Sequence, residues 1–433
     1  MRFAYAYGAD AVYAGQPRYS LRVRNNEFSQ EAVLARAIEE AHAGNKLFFL
    51  ASNIAAHNSK VKTYIDDLEP VIDMGPDALI MSDPGLIMMV RERWPEQTIH
   101  LSVQSNVVNH AAVKFWQSMG LKRVILSREL SIKEVAEIRE KCPDIELETF
   151  VHGALCIAYS GRCLLSGYIS HRDSNQGACT NTCRWKYDVH AARETDTGDT
   201  LTHVQGDVMP PESTPVVLLE EQNRPGELMP AFEDEHGTYI MNSKDLRAVQ
   251  HVENLTKLGI DSFKIEGRTK SIYYVARTTQ VYHKAIDDAV AGRPFDMGLM
   301  DELEGMANRG FTEGFYRRHP PGEYQNYERG VSTSDKQQFV GAILDSDDCW
   351  LTVDVKNRFE TGDQLQLMTT RGNISFDLAT VMNRQGITTD AAPGSGHIVK
   401  IPVPDGLDPG HINEFSLLIR YLPQNRTDQI TRP

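Results

Sequence analysis

The sequence predicts an α/β protein: a parallel, TIM-like (β/α) barrel followed by a small C-terminal β-barrel domain. Two observations carry this. Over the first three hundred residues, short β-branched runs alternate with amphipathic helical patterns, the order of βαβ units on a parallel sheet. Each apolar run also ends in polar residues: Asn53, Asp83, Gln104, Arg128 with Glu129, His152, and the group Lys264, Glu266 and Arg268. In an α/β barrel those strand ends form the functional face. A Rossmann-type open sheet is the alternative, and it is weakened because no Gly-x-Gly-x-x-Gly follows any strand.

Taken in order, the strands read as 10–15, 47–50, 78–81, 100–104, 123–127, 148–152 and, much later, 262–266. Between them, 30–43 carries Ala32, Val33, Ala37, Ile38 and Ala41 at helical spacing before Gly44. The stretch 131–141 opens with Ser131 and Glu134 at capping-box spacing. Seven strands leave the barrel one short. The chain also starts inside a helical pattern (Phe3, Ala4, Tyr7, then Gly8), so the expectation is that the first barrel strand is missing upstream and one sheet edge is unpaired.

From about Asp188 to Gly237 the composition turns acidic and rich in Pro, Thr, Glu and Gly, with one short apolar run, Val216 to Leu219. That reads as an insertion or lid rather than another barrel unit. Beyond Gln337, short alternating runs (350–355, 364–368, 374–376, 397–403 and 416–422) are separated by turns at Gly362 and Gly372, the pattern of a small all-β domain. The expected domains are therefore a catalytic barrel over 1–330, with a Cys-rich loop and insertion at 152–240, and a β-barrel over 337–425.

Composition bounds the function. The 433 residues hold 45 Lys and Arg against 59 Asp and Glu, a formal charge of −14, with 41% apolar residues. This is a globular profile. No run approaches the ~20 apolar residues of a membrane span, and no secretion signal is present, which predicts a cytoplasmic protein without a membrane partner. The negative balance argues against long-range attraction to nucleic acid but leaves room for a local basic site.

Four of the six cysteines cluster as Cys156-x6-Cys163-x15-Cys179-x3-Cys183. Disulfides are disfavoured in a cytoplasmic protein. Structural zinc prefers tighter pairs than x6. An iron–sulfur cluster takes four thiolates at irregular spacing. Four packed apolar thiols are the bland alternative, ill suited to this polar segment with Gly153, Gly161, Gly167 and Gly177.

The stretch His152-Gly153-Ala154-Leu155-Cys156-Ile157-Ala158-Tyr159-Ser160-Gly161-Arg162-Cys163-Leu164-Leu165-Ser166 closely resembles the signature of the collagenase-like peptidase family of unassigned mechanism. The likeness continues through Gly8 to Tyr13, Asp83 to Leu86, Ser102 to Asn106, Ser127 to Leu130, Asn242 to Leu246 and Lys264 to Arg268. Within that family the chain is most similar to the tRNA-hydroxylating group. The resemblance implies formation of 5-hydroxyuridine at the anticodon wobble position, dependent on prephenate and independent of oxygen. It also implies a 4Fe-4S cluster held by Cys156, Cys163, Cys179 and Cys183, with tRNA and prephenate as partners. It leaves the oligomeric state open.

The remaining candidates each carry two readings. Arg22 and Arg24, near Tyr19 and Phe28, could hold phosphates and stack bases, or grip the two carboxylates of prephenate, or belong to a solvated loop. Lys264 and Arg268 could bind a substrate carboxylate with Glu266 orienting them, or form an internal ion pair, and Arg128 shares that ambiguity. His152 could be a general acid or base with a near-neutral pKa, or a hydrogen-bonded rim residue. Asn53 and Gln104 could read a uracil edge or simply brace strand ends. A peptidase lacks support from motifs, with no His-Glu-x-x-His and no Gly-x-Ser-x-Gly. A non-catalytic iron–sulfur partner in tRNA modification is the other rival.

Overall fold

A computed structural model describes residues 1–21, 28, 30–154, 245–267, 270–306, 311–317 and 336–422. Between 154 and 245 it describes only the backbone of the strands 192–194, 200–202, 216–220, 228–234 and 237–239. Six strands open the fold: β1 (Ala11–Gly15), β2 (Leu47–Ser52), β3 (Ala78–Met81), β4 (Ile99–Leu101), β5 (Arg123–Ile125) and β6 (Glu146–Ala154). Each pairs in parallel with the next. Their near-continuous burial (all four residues of β3, all but the first of β2) is what a parallel sheet covered on both faces requires.

The helices between them follow their local signals. α1 is Arg2–Ala6, α2 Glu31–Ala43, α3 Asn58–Val61, α4 Tyr64–Asp73, α5 Pro84–Arg93, α6 His110–Ser118 and α7 Ile132–Lys141. In α2, Leu34, Ala37, Ile38 and Ala41 face the core. Asp83 caps α5 by accepting from Gly85 and Leu86, with Pro84 at the first position. Ser131 and Glu134 complete the capping box of α7.

The inserted segment holds antiparallel strands β7 (Ala192–Glu194) with β8 (Thr200–Thr202), and β9 (Val216–Glu220), β10 (Leu228–Asp234) and β11 (Gly237–Tyr239). The chain then returns to the main sheet as β12 (Asp245–Arg247), α8 (Val252–Lys257), β13 (Ser262–Ile265), α9 (Ile272–Val290), α10 (Gly298–Glu304) and β14 (Phe311–Thr312). β6 is the branch point: β13 pairs with it in parallel, and β12 pairs antiparallel with its last three residues. All seven strands read from the sequence therefore lie parallel in one sheet. The antiparallel β12 was not anticipated.

The ladder is not a closed ring. Among the described residues none joins β1 to β13, and the two approach through side chains, with the Lys264 ammonium 4.1 Å from the centre of the Tyr13 ring.

The C-terminal unit runs from β15 (Gln337–Ser346) through β16 (Trp350–Val355), β17 (Phe359–Glu360), β18 (Gln364–Thr369), β19 (Gly372–Asp377), β20 (Val381–Asn383), β21 (Thr388–Thr389), β22 (Ala391–Ala392) and β23 (Ile398–Pro402) to β24 (Leu417–Tyr421). Eight of these form an antiparallel sheet in the order β19-β18-β24-β15-β16-β23-β20-β21 around a core of its own. Its ends, β19 and β21, are not joined to each other by hydrogen bonds among the described residues.

The two units are bolted together along α9. Tyr273 donates to Gln337 Oε1 at 2.9 Å and stacks on Phe339. The fully buried Arg277 bonds Gln366 and pairs with Glu302 at 2.7 Å. Gln280 donates to the Thr369 carbonyl at 3.0 Å. Near the start of the chain, Tyr7 donates to the Phe415 carbonyl at 2.9 Å. Among the described residues no helix is long and apolar enough to cross a membrane.

Candidate functional site

The parallel strands converge on a charged interior before reaching the face at their C-terminal ends. Glu148 on β6 is buried and accepts from Lys264 Nζ at 2.7 Å, Ser262 Oγ at 2.9 Å and Arg123 Nη1 at 3.0 Å. Desolvation pushes the Glu148 carboxyl up, but Lys264 and then Arg123 pull it down harder, to about 2. Lys264 therefore has its carboxylate inside the chain. The expectation that it binds a substrate carboxylate is corrected, because a buried ammonium already neutralised at hydrogen-bond distance has no charge left to offer.

A second ion pair stands at the strand ends. Arg128 Nη2 meets Glu266 Oε2 at 2.8 Å, and its guanidinium lies 3.8 Å over the Phe150 ring. Glu266 thus orients Arg128. Gly153 makes this corner: its φ is +122°, and a Cβ there would stand 2.6 Å from that of Glu266.

Asn53 and Gln104 hold each other's surroundings. Asn53 Nδ2 donates to Ser102 Oγ at 3.1 Å and to Gln104 Oε1 at 3.4 Å, while Ser102 Oγ donates to Gln104 Oε1 at 2.8 Å. Asn53 Oδ1 accepts from the Leu21 amide at 3.3 Å, so it tethers the chain that leads into Arg22 and Arg24. Arg22, Arg24, Arg268 and the four cysteines Cys156, Cys163, Cys179 and Cys183 lie outside the described residues. The pairing of Ala154 with Asp245 does place the two ends of the cysteine-bearing segment side by side at the sheet. Among the described residues there is no cluster of His, Cys, Asp or Glu able to hold a metal ion.

His152 sits at the end of β6, buried between Tyr274, Tyr282 and Phe311 with ring centroids 5.5–5.6 Å away. Burial lowers its pKa to about 3 against the opposing pull of Asp245. The near-neutral titration expected from its residue type is corrected: desolvation of the imidazolium keeps the ring neutral. The residues missed in the sequence are Glu148, Arg123, Tyr274 and Tyr282. The available signal was Glu148 itself, a carboxylate inside the strand that also carries Leu147, Phe150 and Val151.

This interior predicts acid sensitivity. His152 and His100, the latter also lowered to about 3 by burial and then by Arg123, are neutral in the folded state and titrate near 6.5 when unfolded. Their contribution is complete above pH 6.5 and falls as pH drops toward 3, by about 2 kcal/mol each at pH 5. Glu148 adds a loss that begins below about 4.5 and runs down toward 2. Urea midpoints measured from pH 8 to 4 should fall steadily below 6.5, and a flat profile between 7 and 5 would contradict these assignments.

The description "Peptidase family U32" matches residues 1–326, and "Peptidase family U32 C-terminal domain" matches 335–413. The chain is 61% identical over 431 residues to "tRNA hydroxylation protein P" of Escherichia coli (strain K12), covering 97% of this chain and 94% of that protein. It is 59% identical to the protein of the same name from Haemophilus influenzae (strain ATCC 51907 / DSM 11121 / KW20 / Rd), covering 99% and 95%. It is 27% identical to "23S rRNA 5-hydroxycytidine C2501 synthase" of Escherichia coli (strain K12), covering 88% of this chain and 52% of that one.

Proposed function

The chain belongs to peptidase family U32, and from that premise we propose that it is a cytoplasmic tRNA-modifying hydroxylase. It forms 5-hydroxyuridine at the anticodon wobble position, using prephenate and an iron–sulfur cluster and not molecular oxygen. The observation that carries the reading is identity at 61% along nearly the whole chain with a tRNA hydroxylation protein.

The donor set suits the cofactor. Four cysteines at 156, 163, 179 and 183 supply the four thiolates a 4Fe-4S cluster takes. They belong to a segment whose ends meet at the strand-end face, beside His152. Such a cluster supplies redox or Lewis-acid chemistry when bound. The chain's own residues do the rest. A uridine must leave the anticodon stack to be modified. Arg22 and Arg24 follow the tether at Leu21, where they can grip phosphate or the carboxylates of prephenate. We also read the gap between β1 and β13 as the place of the eighth strand of a TIM-like barrel.

Nucleoside mass spectrometry on total tRNA from cells lacking the gene, grown with little oxygen, tests the function. The expected result is loss of 5-hydroxyuridine and its derivatives, restored by the wild-type gene and not by Cys156→Ala. Unchanged levels would remove the hydroxylase reading and direct attention to peptide substrates.

A further inference from the structure

Two polar atoms beside the end of β6 are left over by the network around them. Tyr282 Oη has one proton and donates it to the Val151 carbonyl at 2.7 Å, while the Ala248 amide donates into the same oxygen at 3.1 Å. Toward His152 it can only accept, so the 3.3 Å contact puts the imidazole proton on Nδ1. Nε2 is then a bare lone pair. It is buried without a hydrogen-bond partner among the described residues, and so is Tyr274 Oη, on the ring 5.6 Å away. Tyr274 keeps its proton, since burial and then Asp245 push the phenol up.

A buried polar atom without a partner costs roughly 1–3 kcal/mol. Here there are two, one acceptor and one donor, on rings whose centres are 5.6 Å apart and not bonded to each other. Their chemistry selects the ligand. Carboxylates and phosphates present only acceptors and would set oxygen lone pairs against Nε2. The nearby Asp245 and Glu266 are matched by Lys270 at 3.7 Å and Arg128 at 2.8 Å, so the surroundings are close to neutral. A neutral group with an N–H beside an acceptor fits, and the Watson–Crick edge of a pyrimidine is such a group.

We propose that His152 Nε2 and Tyr274 Oη bind that edge of the target base, Nε2 accepting from N3–H of uracil and Oη donating to the adjoining carbonyl. This rests on the tRNA reading above. The Phe311 and Tyr282 rings fix the imidazole in place.

The test is binding of a fluorescent anticodon stem-loop carrying uridine or N3-methyluridine at the wobble position, to the full chain and to Tyr274→Phe. Expected are a loss of roughly ten- to a hundred-fold for the methylated base with the wild type, and about a tenfold loss for uridine with Tyr274→Phe. Because Oη has no partner within the protein, the variant should melt no lower than the wild type. Equal affinity for both bases, an unaffected variant, a lowered melting temperature, or a defect confined to prephenate binding would each overturn the proposal. If N3–H dependence holds while the wild type forms no 5-hydroxyuridine, the hydroxylase reading fails and the base site stands.

Discussion

Glu148→Ala is expected to remove about 3–5 kcal/mol from the parallel-sheet domain. The carboxylate is buried at the centre of the strands and is shared by Lys264, Arg123 and Ser262. Its removal takes from the buried Lys264 ammonium the carboxylate that neutralises it at 2.7 Å, while the faces of Tyr13 and Phe150 stay nearby. Glu148→Gln keeps an acceptor for one donor and should lose less. Pairing Glu148→Leu with Lys264→Met removes both charges and should recover much of the deficit, because the desolvation of each ion disappears with it. Urea unfolding of the four proteins checks this, and a double variant no better than Glu148→Ala would show that the pair is not the main term.

Gly153→Ala should be as damaging for a different reason. The backbone there has a φ of +122°, which costs a non-glycine residue of order 1–3 kcal/mol. The new Cβ would also press on Glu266 Cβ at 2.6 Å and on its carbonyl oxygen at 3.0 Å. Relief requires β6 and the chain after β13 to separate, which pulls Glu266 from Arg128 and disturbs the register that carries His152. A melting temperature lowered by several degrees, together with loss of tRNA modification in complemented cells, is the expected result. Wild-type modification would mean the corner can yield without consequence.

What could be read from the sequence was local. Each parallel strand announces itself by a run such as Ala78-Leu79-Ile80-Met81, and α7 by the spacing of Ser131 and Glu134, because burial on both faces and helix capping act over a few residues. β15 escaped because Gln337 to Ser346 does not alternate cleanly; register shifts between Phe339 and Gly341, and between Ile343 and Asp345, break its period. Asn53, Asp83 and Arg128 do follow β2, β3 and β5, but Lys264 falls inside β13, and the partners of the charged residues were not legible. Lys264 meets Glu148 across 116 positions of sequence and Arg128 meets Glu266 across 138, and no spacing rule encodes such pairs. Tyr274 lies buried near the start of α9. That His152 Nε2 is left bare beside it depends on Tyr282 having spent its own proton on Val151, which no local pattern encodes.

The helix α9 has a mechanical consequence. Its 19 residues make a rod of about 28 Å. Near its N-terminal tip stand Tyr273 and Tyr274, and one or two turns further on Arg277 and Gln280 grip the C-terminal sheet through Gln366 and Thr369. Tyr273 at that tip also holds Gln337 and Phe339, while Tyr282 further along donates to the Val151 carbonyl, so the rod is fixed to both units at once and works as a shared strut. Parting the two units would therefore withdraw support from the side chains packed around His152.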